Sequence, residues 1–425
     1  MSEPATTSGS NYRPFSVFAL VWAVTTLAHQ LAFTFWTESW EGWLLVAAAI
    51  SVLFRSDCTI RFIILVAASL LNLWHKLPFV PNHILWEGML HLIILAAAGS
   101  FFLHGTGKSE WKIVSRTWKK GTLLFLLAAA LKGGFLLIPD LPQTYHYIFG
   151  AHTTLFLLLS FGRLISKGSS MGGGDDLFSR FAPVMRIAVV VMYVWAVIQK
   201  LNHDYFNPEV TCAGKLHKEI NAYFGNILPQ TDWALVGAAA GSLVFELGIP
   251  LLLCFRKTRF AGFVAAIGFH LWLSIHPAAG IFSFTSLILA ILLLFLPASW
   301  GIELQNTWNR QLRKLGGGEL TTGRKRARWI VILAFFATLI TQGLLYLTIE
   351  RSYEVFHTAN RIGFFTFFVW GVWIGICYLT AGRKARNAPD QSLPGKFRAT
   401  WVLLALIPTL INGIMPWIGA RTQTS

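Results

Sequence analysis

Charge is scarce in this chain: only 13% of its 425 residues are Asp, Glu, Lys or Arg, against 55% hydrophobic positions, and the mean hydropathy is +0.56. Soluble domains carry about a quarter charged residues, so this composition excludes a water-soluble fold and points to a polytopic membrane protein. Cysteine is also sparse. Of the four, Cys58 and Cys254 stand near one set of segment ends, Cys377 lies in an apolar run, and Cys212 alone falls in a loop on the other side. No disulfide framework is available. Strings of the Cys-x-x-Cys, Gly-x-Gly-x-x-Gly, P-loop and His-Glu-x-x-His types are missing, which leaves soluble-cofactor and zinc-protease readings without support. Disorder does not fit 14% aromatics, and collagen does not fit 36 glycines without a period.

Acidic residues are the remaining shortage, 19 against 35 basic ones for a net charge of +16. In a soluble protein that balance would suggest nucleic acid. Here topology explains it. A span needs roughly 20 apolar residues, and about thirteen candidate runs of this kind occur at 14–36, 41–54, 60–77, 84–104, 121–138, 145–165, 182–201, 233–254, 260–276, 281–298, 329–349, 362–380 and 399–418. The expected fold is therefore all-α, a helical bundle with the lipid bilayer as its main partner and no nucleic acid. The short 41–54 run can be re-entrant. Most Lys and Arg fall on alternate ends, as in the runs Lys119-Lys120, Arg256-Lys257, Arg324-Lys325-Arg326 and Arg383-Lys384. Basic residues are retained on the cytoplasmic side, so the expected N-terminus is cytoplasmic and the C-terminus external. The expected layout is a disordered tail over 1–13, a membrane domain over 14–298, a basic cytoplasmic loop over 299–328, and three further helices within 329–425.

This orientation collects most of the 12 histidines on the outer side. His29 and His75 end outward-running spans, His83 and His146 open inward-running ones, and His270 and His276 close another. Each can be an interfacial or packed histidine; the clustering suggests a site. His270 and His276 are a poor same-face pair, so no metal is expected from that helix alone. A metal or redox centre built from the outer histidines as a set stays a separate reading.

The sharpest string is Gln199-Lys200-Leu201-Asn202-His203-Asp204-Tyr205 at the end of an outward-running span. Lys200 can snorkel to the headgroups, or, partly desolvated, serve as a base, with Asp204 stabilising or orienting it. Lys132 poses the same question. Glu246, in Phe245-Glu246-Leu247-Gly248-Ile249-Pro250, is an intramembrane carboxyl that must be protonated, paired or turned to a cavity.

These strings resemble a known family. Gln199 to Tyr205 resembles the lysine-lysine-leucine-aspartate-alanine-aspartate-tryptophan motif of vitamin K-dependent gamma-carboxylase and of the wider horizontally transferred transmembrane (HTTM) domain family. Gly268-Phe269-His270 with Phe282-Ser283 is similar to that family's phenylalanine-histidine and phenylalanine-serine pairs, and Glu246 to Pro250 is similar to bacterial members. The resemblance spans residues 10–300. It implies a lyase-type membrane enzyme in which Lys200 deprotonates reduced vitamin K or another quinol, with His270, His146 or Tyr145, and His83 as further catalytic candidates. Asn202, Asp204, Glu246 and His276 are the candidate cofactor-binding residues. It also implies a bacterial cytoplasmic membrane and a site on the outer side. Two positions depart from the motif, Gln199 and Asn202, and the chain has three apolar runs where the carboxylase has a propeptide-binding lumenal region. The protein substrate is therefore not specified. The competing reading is a non-enzymatic protein that transports, exports or matures a small peptide or lipid.

Overall fold

A computed structural model describes residues 13–32, 40–74, 82–104, 173–202, 204–223, 225–274, 282–348 and 353–385. Among the described residues every element is helical and there is no strand. The α-helices are α1 Pro14–Ala32, α2 Trp40–Phe54, α3 Thr59–Trp74, α4 Asn82–His104, α5 Gly173–Lys200, α6 Cys212–Tyr223, α7 Asp232–Cys254, α8 Arg259–Ser274, α9 Phe282–Ile291, α10 Ala298–Leu315, α11 Leu320–Thr348 and α12 Tyr353–Ala385. The expected runs at 121–138, 145–165 and 399–418 lie outside the described residues.

Among the described residues, four helices are long and apolar enough to cross a membrane: Pro14–Ala32, His83–Leu103, Gly173–Lys200 and Asp232–Cys254. A fifth arises if Phe282–Phe295 and Ala298–Leu315 are taken together, although they meet at 120°. That bend alters the expected span over 281–298. Pro297 cannot donate to a continuing helix, so the chain closes α9 with a 3-10 turn at Leu292–Phe295 and restarts at Ala298. The segment 299–328, expected as a loop, is largely helical. α10 carries polar and basic residues such as Arg310, Arg313 and Lys314, and it ends at Gly316–Gly318, where Gly317 and Gly318 take positive φ values of 64° and 103°. Left-handed backbone of this kind closes helices and suits glycine.

The core forms where α1 meets α2, α5, α9 and α12. Phe18 makes ring contacts with Trp22, Phe62, Phe178 and Phe181 at centroid separations of 5.4–5.9 Å. Phe62 also meets Phe15 at 5.5 Å and Trp22 at 5.7 Å. Such offset and edge-on arrangements match the aromatic quadrupole. α9 buries every residue but Ser283, as expected of a helix apolar on all sides. Outward, Val244, Phe245, Leu247 and Leu251 of α7 are exposed, an apolar surface that suits hydrocarbon rather than water.

One end of the bundle gathers basic residues. Ser16 bonds Ser56 at 2.7 Å, and the Phe15 N–H donates to Asp175 at 3.2 Å. Arg328 lies 5.5 Å from the Phe54 ring and donates to the Phe54 carbonyl at 3.2 Å. Phe260, just after Arg256, Lys257 and Arg259, packs on Trp300 at 5.5 Å. Asp175 and Asp176 begin α5, where carboxylates favour the positive helix end. Lys200 closes the same 28-residue helix, roughly 40 Å away at 1.5 Å per residue.

The aromatic cluster sets a stability expectation. Phe62→Ala should remove a fully buried ring and cost about 3–5 kcal/mol, read as a lowered thermal midpoint in detergent, whereas truncating exposed Leu251 should have little effect.

Candidate functional site

α5 ends in a polar turn held by its own side chains. Asn202 Nδ2 donates to the Gln199 carbonyl at 2.8 Å, and Asn202 Oδ1 accepts the Tyr205 N–H at 2.9 Å. The amide satisfies a helix-terminal carbonyl that has no partner within the helix and starts the 3-10 turn Asp204–Phe206. Both ends of the Asn202 amide are thus committed to backbone. The turn places the Tyr205 ring 5.6 Å from Lys200 Nζ. Tyr205 is buried; burial pushes its phenol above the ordinary range and outweighs the opposing pull of the Lys200 ammonium.

Lys200 Nζ donates to Glu246 Oε1, and lies 3.5 Å from Ser242 Oγ. Ser242 and Glu246 are four residues apart on α7, hence on one face. The side chains of Lys200 and Glu246 are 28% and 9% exposed, so the pair is sheltered rather than held in open solvent. The carboxylate that Lys200 meets comes from a neighbouring helix, whereas the sequence had offered Asp204, four residues along the chain. Glu246 Oε2 is buried and has no hydrogen-bond partner among the described residues.

Two turns back on α5, Tyr193 shares the face of Lys200, and its hydroxyl bonds His270 Nε2 of α8 at 2.5 Å. His270 is 3% exposed, and its Nδ1 has no hydrogen-bond partner among the described residues. Its ring sits among Phe269 at 5.5 Å, Tyr193 at 6.0 Å and Phe284 at 5.6 Å. Phe284 in turn meets His83 of α4 at 6.3 Å, so α9 stands between the two histidines.

The structure therefore brings Lys200 and Glu246 into contact, joins His270 to the same helix face through Tyr193, and sets His83 beyond Phe284. Asp204 sits in the turn directly after Lys200. His146, Tyr145 and His276 lie outside the described residues. Sequence reasoning missed Tyr193 and Ser242. Their signals are spacing, seven residues before Lys200 and four before Glu246, and neither is unusual in an apolar helix. Among the described residues no group of three or more His, Cys, Asp or Glu is placed to hold a metal ion.

Apolar helices around a sheltered ion pair and a buried tyrosine–histidine bond define a helical membrane-embedded protein. Residues 145–300 match the family model of the HTTM domain. The match contains Lys200, Glu246 and His270 and is narrower than the 10–300 reach of the resemblance drawn from motifs. No curated protein and no solved structure matches the chain.

The pair can be tested as a pair. Lys200→Met and Glu246→Leu should each strand a buried charged partner and cost about 1–3 kcal/mol. The double variant should recover most of that loss in thermal unfolding, giving a clear coupling energy.

Proposed function

We propose that this chain is a multi-pass membrane enzyme of about thirteen spans that uses Lys200 as a base on a quinol or similar lipid-soluble substrate. The observation that carries the reading is the sheltered Lys200–Glu246 pair, set at the end of the bundle away from the basic residues. By the retention of Lys and Arg inside, that end faces outward, the N-terminus is cytoplasmic, and a bacterial cytoplasmic membrane is the expected location.

The surroundings suit such a ligand. Among the described residues His270 Nδ1 and Glu246 Oε2 are buried without a hydrogen-bond partner, and the Phe269 and Phe284 rings flank His270, which fits a flat ring bearing hydroxyls. A bound quinol, reduced vitamin K among the candidates, would supply an acidic O–H and a reducing ring. The proton between Lys200 and Glu246 passes to the carboxylate, and Lys200 Nζ, now the neutral amine, accepts the quinol proton. Glu246 holds the resulting ammonium, and the Tyr205 face adds cation–π attraction. Tyr193 fixes the His270 ring by taking up Nε2, which leaves Nδ1 for a second polar contact. Apolar neighbours keep water out and strengthen each of these interactions.

The motif resemblance points to the lyase chemistry of vitamin K-dependent gamma-carboxylase; the acceptor of any carboxylation is not specified by these residues. The full chain in nanodiscs, supplied with reduced vitamin K or menaquinol, dioxygen as the oxidant and labelled bicarbonate, should consume the quinol. Lys200→Ala should abolish that consumption at normal expression and insertion, and Glu246→Gln should lower it by about 10²-fold, in the range of general acid–base effects. A fully active Lys200→Ala protein would overturn the reading and favour a non-enzymatic transport or maturation role.

A further inference from the structure

A second polar cluster lies in the first four helices, apart from Lys200. A narrow cavity between α1, α2, α3, α4 and α9 counts His29, Gln30, Asn72, Glu87, His91 and Ser286 among its polar lining groups. Its free space is about 20 Å³ for the centre of a water-sized sphere, enough for a water and too little for an organic ligand. Ser286 is 3% exposed, and its hydroxyl has no hydrogen-bond partner among the described residues. A buried hydroxyl without a partner costs free energy unless a water supplies the bond.

The two imidazoles are set in complementary forms. His91 Nδ1 lies 2.7 Å from the Glu87 carbonyl, which can only accept, so Nδ1 carries the proton and Nε2 is the acceptor of the neutral ring. His29 Nδ1 lies 3.0 Å from Gln30 Nε2, which can only donate, so His29 carries its proton on Nε2. The wall therefore holds one imidazole acceptor, one imidazole donor and a carboxyl 7% exposed. Among the described residues, no three His, Cys, Asp or Glu are placed around a common metal position, which favours water as the ligand.

We infer that this cavity is a hydrated proton site, in which a water bonded to Ser286 links the Glu87 carboxyl to the imidazoles of His91 and His29. In the exchange the water receives the carboxyl proton and releases another to His91 Nε2. Carboxyl and imidazole become carboxylate and imidazolium, and no oxidant or other reactant enters. The titratable groups that line the cavity with Glu87 are His91 on its own helix and His29 on α1; α3 and α9 contribute amide and hydroxyl groups. The site does not rest on a catalytic role for Lys200. Most of it lies outside the matched HTTM segment, which reaches the cavity through α9.

Infrared spectra of the full chain in nanodiscs, recorded in H2O and D2O between about pH 4 and 9, the range of carboxyl and imidazole groups, test the inference. The wild type should show a protonated-carboxyl band that shifts in D2O and disappears in Glu87→Gln. Ser286→Ala removes only one hydroxyl and should move the same band, which keeps the test open if Glu87→Gln fails to fold. A Glu87→Gln spectrum identical to wild type across the range would overturn the proposal. So would a carboxyl band indifferent to D2O or to Ser286→Ala.

Discussion

A lysine and a glutamate inside an apolar bundle constrain everything around them. Moving either charge out of water alone is costly, and only close contact with its counterpart, together with further hydrogen bonds, offsets that cost. Lys200 and Glu246 meet this condition across two helices, with Ser242 and the Tyr205 ring at the ammonium. α5 must therefore end where α7 presents Glu246, and the Asn202 turn must fold back to bring Tyr205 over the pair. A shift of one residue in either helix would rotate the partner by about 100° and leave a buried charge unmatched.

The rest of the packing holds that register. α7 and α8 are joined by a short turn in which Thr258 Oγ1 donates to the Leu252 carbonyl at 2.9 Å, and Gly262 lets the helices approach so closely that an added Cβ would lie 2.8 Å from Leu252 Cβ. This fixes His270 relative to Glu246. Tyr193 then ties α8 back to α5, closing a triangle of helices around the pair. Behind it, α9 is gripped on all sides, and Tyr378 of α12 donates to the Leu289 carbonyl at 2.7 Å. The aromatic cluster around Phe62 anchors the opposite, basic end. Rigidity at both ends of α5 leaves the polar face between them little freedom, which is what a preorganised site requires.

The membrane character and the two charged residues were legible in the sequence because a charge in an apolar run has no inexpensive explanation. Their pairing was not, since 46 positions separate them and only tertiary packing brings them together. Asp204 was the nearer carboxylate in sequence, whereas Glu246 comes from a helix far along the chain. Asn202 was named from the motif resemblance, and its amide bonds the Gln199 carbonyl and the Tyr205 N–H. Tyr193 was hidden for the reverse reason, a tyrosine in an apolar helix being ordinary. The expected span over 281–298 stops at the Pro297 break, but the helix that folds back directly after it at 120° was not legible, because 299–328 read as a basic loop.

The central claim is that the Lys200–Glu246 pair and His270 face one ligand position. The most direct measurement is an electron cryomicroscopy map of the full chain in lipid with reduced vitamin K or menaquinol added. The account predicts ring-shaped density within hydrogen-bonding distance of Lys200 Nζ and beside His270. A map showing Lys200 extended to the lipid headgroups, with protein side chains filling the space next to Glu246, would contradict it.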